Sequence, residues 1–170
     1  YEDVTNVDSI GIMTARSGLR VTDSGTKSLR VITGSANGAS ALFQSNATGT
    51  GDNDGLFIGN DSAADGYLWN YENKSLILGT NNTERMRIDS SGRLLLGTTT
   101  KGQDNADNLT IADSSRAGIT IRSDQNEFGS IYFSDSTSGA GEYDGFVQYN
   151  HSDQALIFAS ASTQRMRIDS

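Results

Sequence analysis

The chain has 170 residues, 35% of them apolar and 20% charged, with 13 Lys and Arg against 21 Asp and Glu for a formal net charge of −8. So low an apolar fraction leaves less core material than a globular domain normally carries, and the negative excess repels a polyphosphate, which argues against nucleic acid as a partner. Without a single Cys there is no disulfide framework, no thiolate nucleophile and no zinc-thiolate site.

Nineteen Gly, no Pro and abundant Ser, Thr, Asn and Asp predict short strands joined by turns, since these residues supply positive φ or bond their own backbone. In chain order, MTARSGLRVT at 13–22 centres on a Ser17-Gly18 turn, and SLRVI at 28–32 alternates apolar residues at Leu29 and Val31. The turn formers of TGTGDNDG precede GLFIGND, with Leu56 and Ile58 in alternation. DGYLWNY at 65–71 and SLILG at 75–79 flank Glu72-Asn73-Lys74, which predicts a hairpin. TERMRIDS then leads through Ser91-Gly92 into RLLLGT. The same succession returns as NLTIA at 108–112, GSIYFSD, DGFVQYNH and TQRMRIDS, with a second predicted hairpin pairing 146–150 with 155–159.

RMRIDS therefore occurs twice, at 85–90 and 165–170, and NKSLILGTNNTERMRIDS matches DQALIFASASTQRMRIDS without a gap. Such self-similarity marks a modular array with a unit of about 75–80 residues. The expected division is 1–17 as the tail of a preceding unit, 18–91 as a full unit and 92–170 as a second, truncated one, the whole being part of a longer polypeptide. A strand period of two puts Met86, Ile88 and Glu84 on one face and Arg85, Arg87 and Asp89 on the other. Two apolar contacts per strand do not offset the entropy of ordering so Gly-rich a backbone, so an isolated unit should be marginal. Burial would come from stacked neighbours or from identical chains around a symmetry axis.

TERMRIDSSGRLLLGTT, preceded by GYLWNYENKSLIL and VDSIGIMTARSGLRV, resembles the repeated modules of tail fibre and virion structural proteins of marine tailed phages, cyanophages in particular. Leu94, Leu95 and Leu96 stand where that family more often has Val, Gly and Ile. The resemblance implies an all-β, elongated, fibrous β-meander built of repeats, an intertwined homotrimer of β-prism or triple β-helix type. It also implies a virion, extracellular setting with identical chains and other virion tail proteins as partners, and a structural job: projecting a host-recognition tip.

Candidate chemistry is sparse. Tyr67, Trp69 and Tyr149, with Tyr71, Tyr143 and Phe146, lie in equivalent hairpins and form a candidate platform for a host surface glycan, the reading of an adhesin module, although alternate aromatics on a strand commonly serve sheet packing. Asp52, Asp54 and Asp61 loosely follow the spacing of a calcium loop, with Thr50 where the first ligand would stand and no flanking helices. His151 is the one histidine and is expected on the exposed hairpin turn. Asp52, Asp54, Glu142 and Asp144 are the carboxylates that a polysaccharide-degrading tailspike would need as a pair. General acid and base groups are too scarce to favour that reading, and neither an enzyme nor a cofactor is expected. No apolar run approaches the ~18 residues of a membrane span, so no membrane insertion is expected, and YEDVTNVDS lacks the basic start and apolar stretch of a signal peptide. Arg85, Met86, Arg87 and Ile88, with Arg165, Met166, Arg167 and Ile168, are read as structural: Met and Ile supply a shared core, and the arginines set register by pairing with Asp89, Asp169 or a neighbouring chain. The loops at 49–54 and 137–144, which differ between the copies, are where recognition would sit.

Overall fold

A computed structural model describes residues 31–33 and 38–170. The expected strand around Leu29, the Ser17-Gly18 turn and the division at residue 17 lie outside the described residues. The chain divides into two compact units, Tyr1–Leu94 and Leu95–Ser170. In the first, β1 (Ser40–Phe43), β2 (Leu56–Asn60) and β3 (Gly66–Asn70) form an antiparallel sheet in sequence order, followed by a hairpin of β4 (Leu76–Thr80) and β5 (Thr83–Ile88); the short strand β6 (Leu94–Leu96) carries the chain across the division between the units. In the second, β7 (Leu109–Ile111) precedes a four-stranded meander of β8 (Phe128–Phe133), β9 (Gly145–Asn150), β10 (Ala155–Ser160) and β11 (Thr163–Ile168). A 3-10 helix at Gly139–Tyr143 is the one helical element among the described residues. The architecture is thus all-β, and its described strands close no barrel. Strand β6 forms on the three leucines despite their departure from the family pattern, and Leu95 is its buried residue at 1% exposure.

The duplicated sequence folds into duplicated geometry. Leu76, Ile77 and Leu78 of β4 face Ile88, Arg87 and Met86 of β5, while Leu156, Ile157 and Phe158 of β10 face Ile168, Arg167 and Met166 of β11. Each ladder then slips by one residue, after Leu78 in the first and Phe158 in the second. Each closes with a two-residue turn in which both residues take positive φ, Asn81 and Asn82 (51° and 54°) or Ala161 and Ser162 (51° and 53°). That is the hand of turn which suits the twist of a hairpin, and Asn reaches it more readily than Ala.

The slip corrects one sequence expectation. Opposite Leu78 and Gly79 the partner strand spends three residues, Met86, Arg85 and Glu84, so Arg85 is an extra residue and the alternation of faces breaks there. Glu84 therefore leaves the Met86 and Ile88 face and meets Arg87, accepting hydrogen bonds from Nε and Nη2 at 2.6 Å each. In the second copy Gln164 replaces Glu84, and Arg167 turns instead to Asp169 (2.5 Å) and Asp153 (3.2 Å). Arg85 and Arg165, both in the slipped position, donate to Thr80 Oγ1 and to the Ser160 carbonyl. Asp89 is taken by Arg93 at 2.7 Å, across the turn in which Gly92 adopts φ +81° as the Ser-Gly pair requires.

A second expectation fails in one copy only. Strands β9 and β10 pair as foreseen, from Asn150 opposite Ala155 to Gly145 opposite Ser160. The corresponding β3 and β4 belong to different sheets. The Tyr71 N–H donates to the Gly55 carbonyl, extending the ladder with β2, and the Gly55 N–H is held by Glu72 Oε1. The Asn70 side chain points its amide at the carbonyls of Lys74 and Ser75 (3.4 and 3.5 Å), where a continuing β4 would have needed main-chain donors. Strand β9 carries one residue more than β3, and Asn150 closes its shorter connection by accepting from the Ser152 and Asp153 N–H groups. Around the splayed β3 and β4 opens a cleft lined by Leu68, Trp69, Leu76 and Ile88.

Burial is thin throughout the described residues: among apolar side chains only Leu95, Ala155 and Ile157 are buried. On one face of the β8–β11 meander, Ile131, Phe133, Met166 and Ile168 remain 48–61% exposed. Because Ala161 holds a conformation that costs an L-residue roughly 1 kcal/mol, Ala161→Asn is expected to stabilise the second unit by about 0.5–1 kcal/mol. Asn81→Ala should cost a similar amount. Chemical denaturation followed by circular dichroism checks both, and unchanged midpoints would show that the turn does not limit hairpin stability.

Candidate functional site

The register of the first sheet assembles an aromatic surface. Phe57 of β2 lies opposite Trp69 of β3, and Tyr67 and Tyr71 flank Trp69 at a spacing of two, so all four rings share one face. Phe57 meets Tyr67 and Tyr71 edge to face, both at 6.4 Å between centroids, and Tyr67 meets Trp69 in the same manner at 6.3 Å. Gly59 stands opposite Tyr67, where a Cβ would run into the backbone and Cβ of Ser40 at 2.6–2.8 Å. The rings border an open cleft of about 340 Å³ with Asn60 and Asp61 at its rim. Trp69 is 52% exposed.

Asp61 is held in place by the turn that joins β2 to β3. Its Oδ1 accepts the Ala63 and Asp65 N–H groups, an arrangement that caps the turn, and its Oδ2 accepts the Tyr67 hydroxyl at 2.8 Å. The tyrosine hydrogen bond holds the carboxyl below its ordinary value, and the same bond, with the charge behind it, holds the phenol above the usual tyrosine range. Asp61 therefore stays anionic and Tyr67 neutral throughout the physiological range.

Of the residues singled out in the sequence, Tyr67 and Trp69 meet in this cleft, while Tyr149 belongs to the second unit and packs edge-on against His151 at 4.9 Å. His151 stands on the hairpin turn as expected but is half-buried where exposure was expected, its main-chain N–H donating to the Glu127 carbonyl. Phe57 went unnoticed because its role appears only once β2 and β3 are set in register. The structure does not bring Asp52, Asp54 and Asp61 together: Asp54 precedes β2 and Asp61 follows it, a separation of roughly 20 Å along the strand. Asp54 turns inward to the Gly51 N–H at 2.8 Å, and Gln44 pins the same loop through the Gly51 carbonyl. Among the described residues no three carboxylate or histidine side chains gather as a metal site. The 137–144 loop is likewise tied down, the Asp144 carbonyl accepting the Ser162 N–H and the Ala140 carbonyl its hydroxyl.

No protein-family model matches the chain, and no curated protein matches it.

Asp61, Glu84 and Asp89 are each held below their ordinary values, by Tyr67, Arg87 and Arg93 respectively. A carboxyl with a depressed folded pKa contributes stability that is fully present above its unfolded value of about 4 and disappears as pH falls through the lower folded value. The melting temperature is therefore expected to hold from neutral pH down to about 5 and to fall below about 4. Tyr67 carries the opposite sign, so its share is lost only as pH rises through its raised value. Ultraviolet titration should show one tyrosine ionising later than the rest, and Asp61→Asn should return it to them; a single common titration in the parent would contradict the Tyr67–Asp61 bond.

Proposed function

We propose that the chain is a structural segment of a phage tail fibre or a similar virion appendage, working as a homotrimer that holds and projects a host-recognition tip. The observation that carries this reading is the imbalance between ladder and core. The strands of the meander pair antiparallel along their lengths, with one slip between β10 and β11, yet an apolar face of the meander is left open in the isolated chain. An exposed apolar face of this extent in a soluble chain marks an association surface, and identical chains around an axis would cover it on every protomer at once. The twofold occurrence of the Met-Arg-Ile hairpin supports a repeating shaft, since each copy presents Met and Ile on one face and ties its arginines to local acceptors. The ERMRIDSSG-type resemblance supports the viral setting.

Sedimentation equilibrium on the purified 170-residue chain is expected to return the mass of three chains, and a monomer mass across the accessible concentration range would sink the trimer. Met166→Asp, which places a charge on the apolar face beside Phe158, is expected to weaken association by roughly tenfold or more. Ser62→Asp, on an exposed turn of the first unit, adds the same charge outside the meander and should leave association unchanged.

A further inference from the structure

The two units build the same pair of strands with different side chains on one face. The β2–β3 ladder ends with Asn60 opposite Gly66, and the β8–β9 ladder ends with Phe133 opposite Gly145, each glycine being preceded by Asp. Counting back from those ends, Phe57, Tyr67 and Trp69 correspond to Ser130, Phe146 and Gln148. The second unit thus makes the ladder without the tryptophan, without its cross-strand phenylalanine and without a tyrosine hydroxyl to hold a carboxylate. The aromatic cleft is therefore not what the strand pair needs in order to form, nor a contact that every module requires. The repeated hairpin behaves in the opposite way, keeping Met, Arg and Ile at the same register in both copies.

The chemistry of the cleft is that of a sugar subsite. Aromatic faces accept the C–H side of a pyranose ring by apolar contact, and a fixed carboxylate beside them accepts its hydroxyls. Asp61 has the geometry for this, because its Oδ2 accepts one hydrogen bond, from Tyr67, and retains acceptor capacity. An anionic Asp61 in a chain of net charge −8 also sets the sign of the ligand, repelling uronic and other acidic sugars. We propose that Phe57, Tyr67, Trp69, Tyr71 and Asp61 form a binding site for neutral pyranose oligosaccharides, with Trp69 as the stacking platform and Asp61 as the hydroxyl acceptor. The site is complete within one unit of one chain, so it stands independently of the trimeric fibre reading.

Trp69 is the sole tryptophan, so its emission reports on the cleft directly. The full chain would be titrated with neutral trisaccharides built from glucose, galactose, mannose and N-acetylglucosamine, with trigalacturonate as the acidic counterpart. The expected result is a saturable change in emission with at least one neutral sugar and none with trigalacturonate. The double variant Phe57→Ser, Trp69→Gln copies the residues that the second unit carries, so its circular dichroism melt should remain close to the parent. Calorimetry on it should show affinity for the same sugar reduced roughly tenfold or more. No saturable change with any neutral sugar, equal response to trigalacturonate, or undiminished binding by the double variant would each overturn the proposal. A parent that binds no sugar while the double variant loses mass in sedimentation would assign the cleft to a contact between chains instead. Sugar binding and trimer mass are read by separate experiments, so either idea can fail without the other.

Discussion

The constraint on which this molecule depends is a shortage of apolar side chains relative to backbone that must be ordered. Each residue fixed in a strand costs about 1–2 kcal/mol of conformational entropy, and the described strands bury only Leu95, Ala155 and Ile157 among their apolar side chains. Local devices make up part of the difference. Asx-type bonds at Asp61, Asp89 and Asn150, positive-φ residues at the turns, and ion pairs beside the hairpins all narrow what the chain can do before any core forms. They specify register; they contribute little burial. An apolar face of the β8–β11 meander stays open, with Phe133, Met166 and Ile168 at 48–61% exposure, so one shortage lies behind both the reliance on local devices and the uncovered face.

The one-residue slip in each hairpin shows how a small device governs charge as well as shape. A regular strand would have set Glu84 among Met86 and Ile88, where an unpaired carboxylate is costly next to apolar neighbours. The extra residue at Arg85 moves it to the side of Arg87, and the pair neutralises itself within one strand. In the second copy the acid becomes Gln164, and the arginine finds Asp169 and Asp153. The arginine is kept while its acceptor changes, so the requirement is for a tethered cation on that face and not for one particular pair.

Much of the fold was legible because turn formers and period-two alternation are local signals. The repeat placed both Met-Arg-Ile strands, and Ser91-Gly92 placed the turn that leads to β6. What escaped was information held between strands. The face of Glu84 depended on a slip that the residues of β5 alone do not announce, and the missing β3–β4 hairpin depended on one residue of strand length and on where the Asn70 amide points. Three of the four rings of the aromatic cleft were legible for the same reason: Tyr67, Trp69 and Tyr71 alternate along one strand, whereas Phe57 joins them only through the β2–β3 register. The calcium reading of Asp52, Asp54 and Asp61 counted positions along the sequence, and a five-residue strand between them extends the chain away from any common centre.

Comparing the two units separates what the scaffold needs from what a single unit adds. Register, slip and turn recur together in the hairpins with Leu, Met and Ile on the same face, so those features answer a demand present in both units. Phe57, Trp69 and the Tyr67–Asp61 bond do not recur, although the ladder that carries them does. A side chain that a repeated ladder can do without is free to answer something outside the chain. The open ring of Trp69, beside a carboxylate fixed by its own turn, is where this molecule holds that freedom in a defined shape.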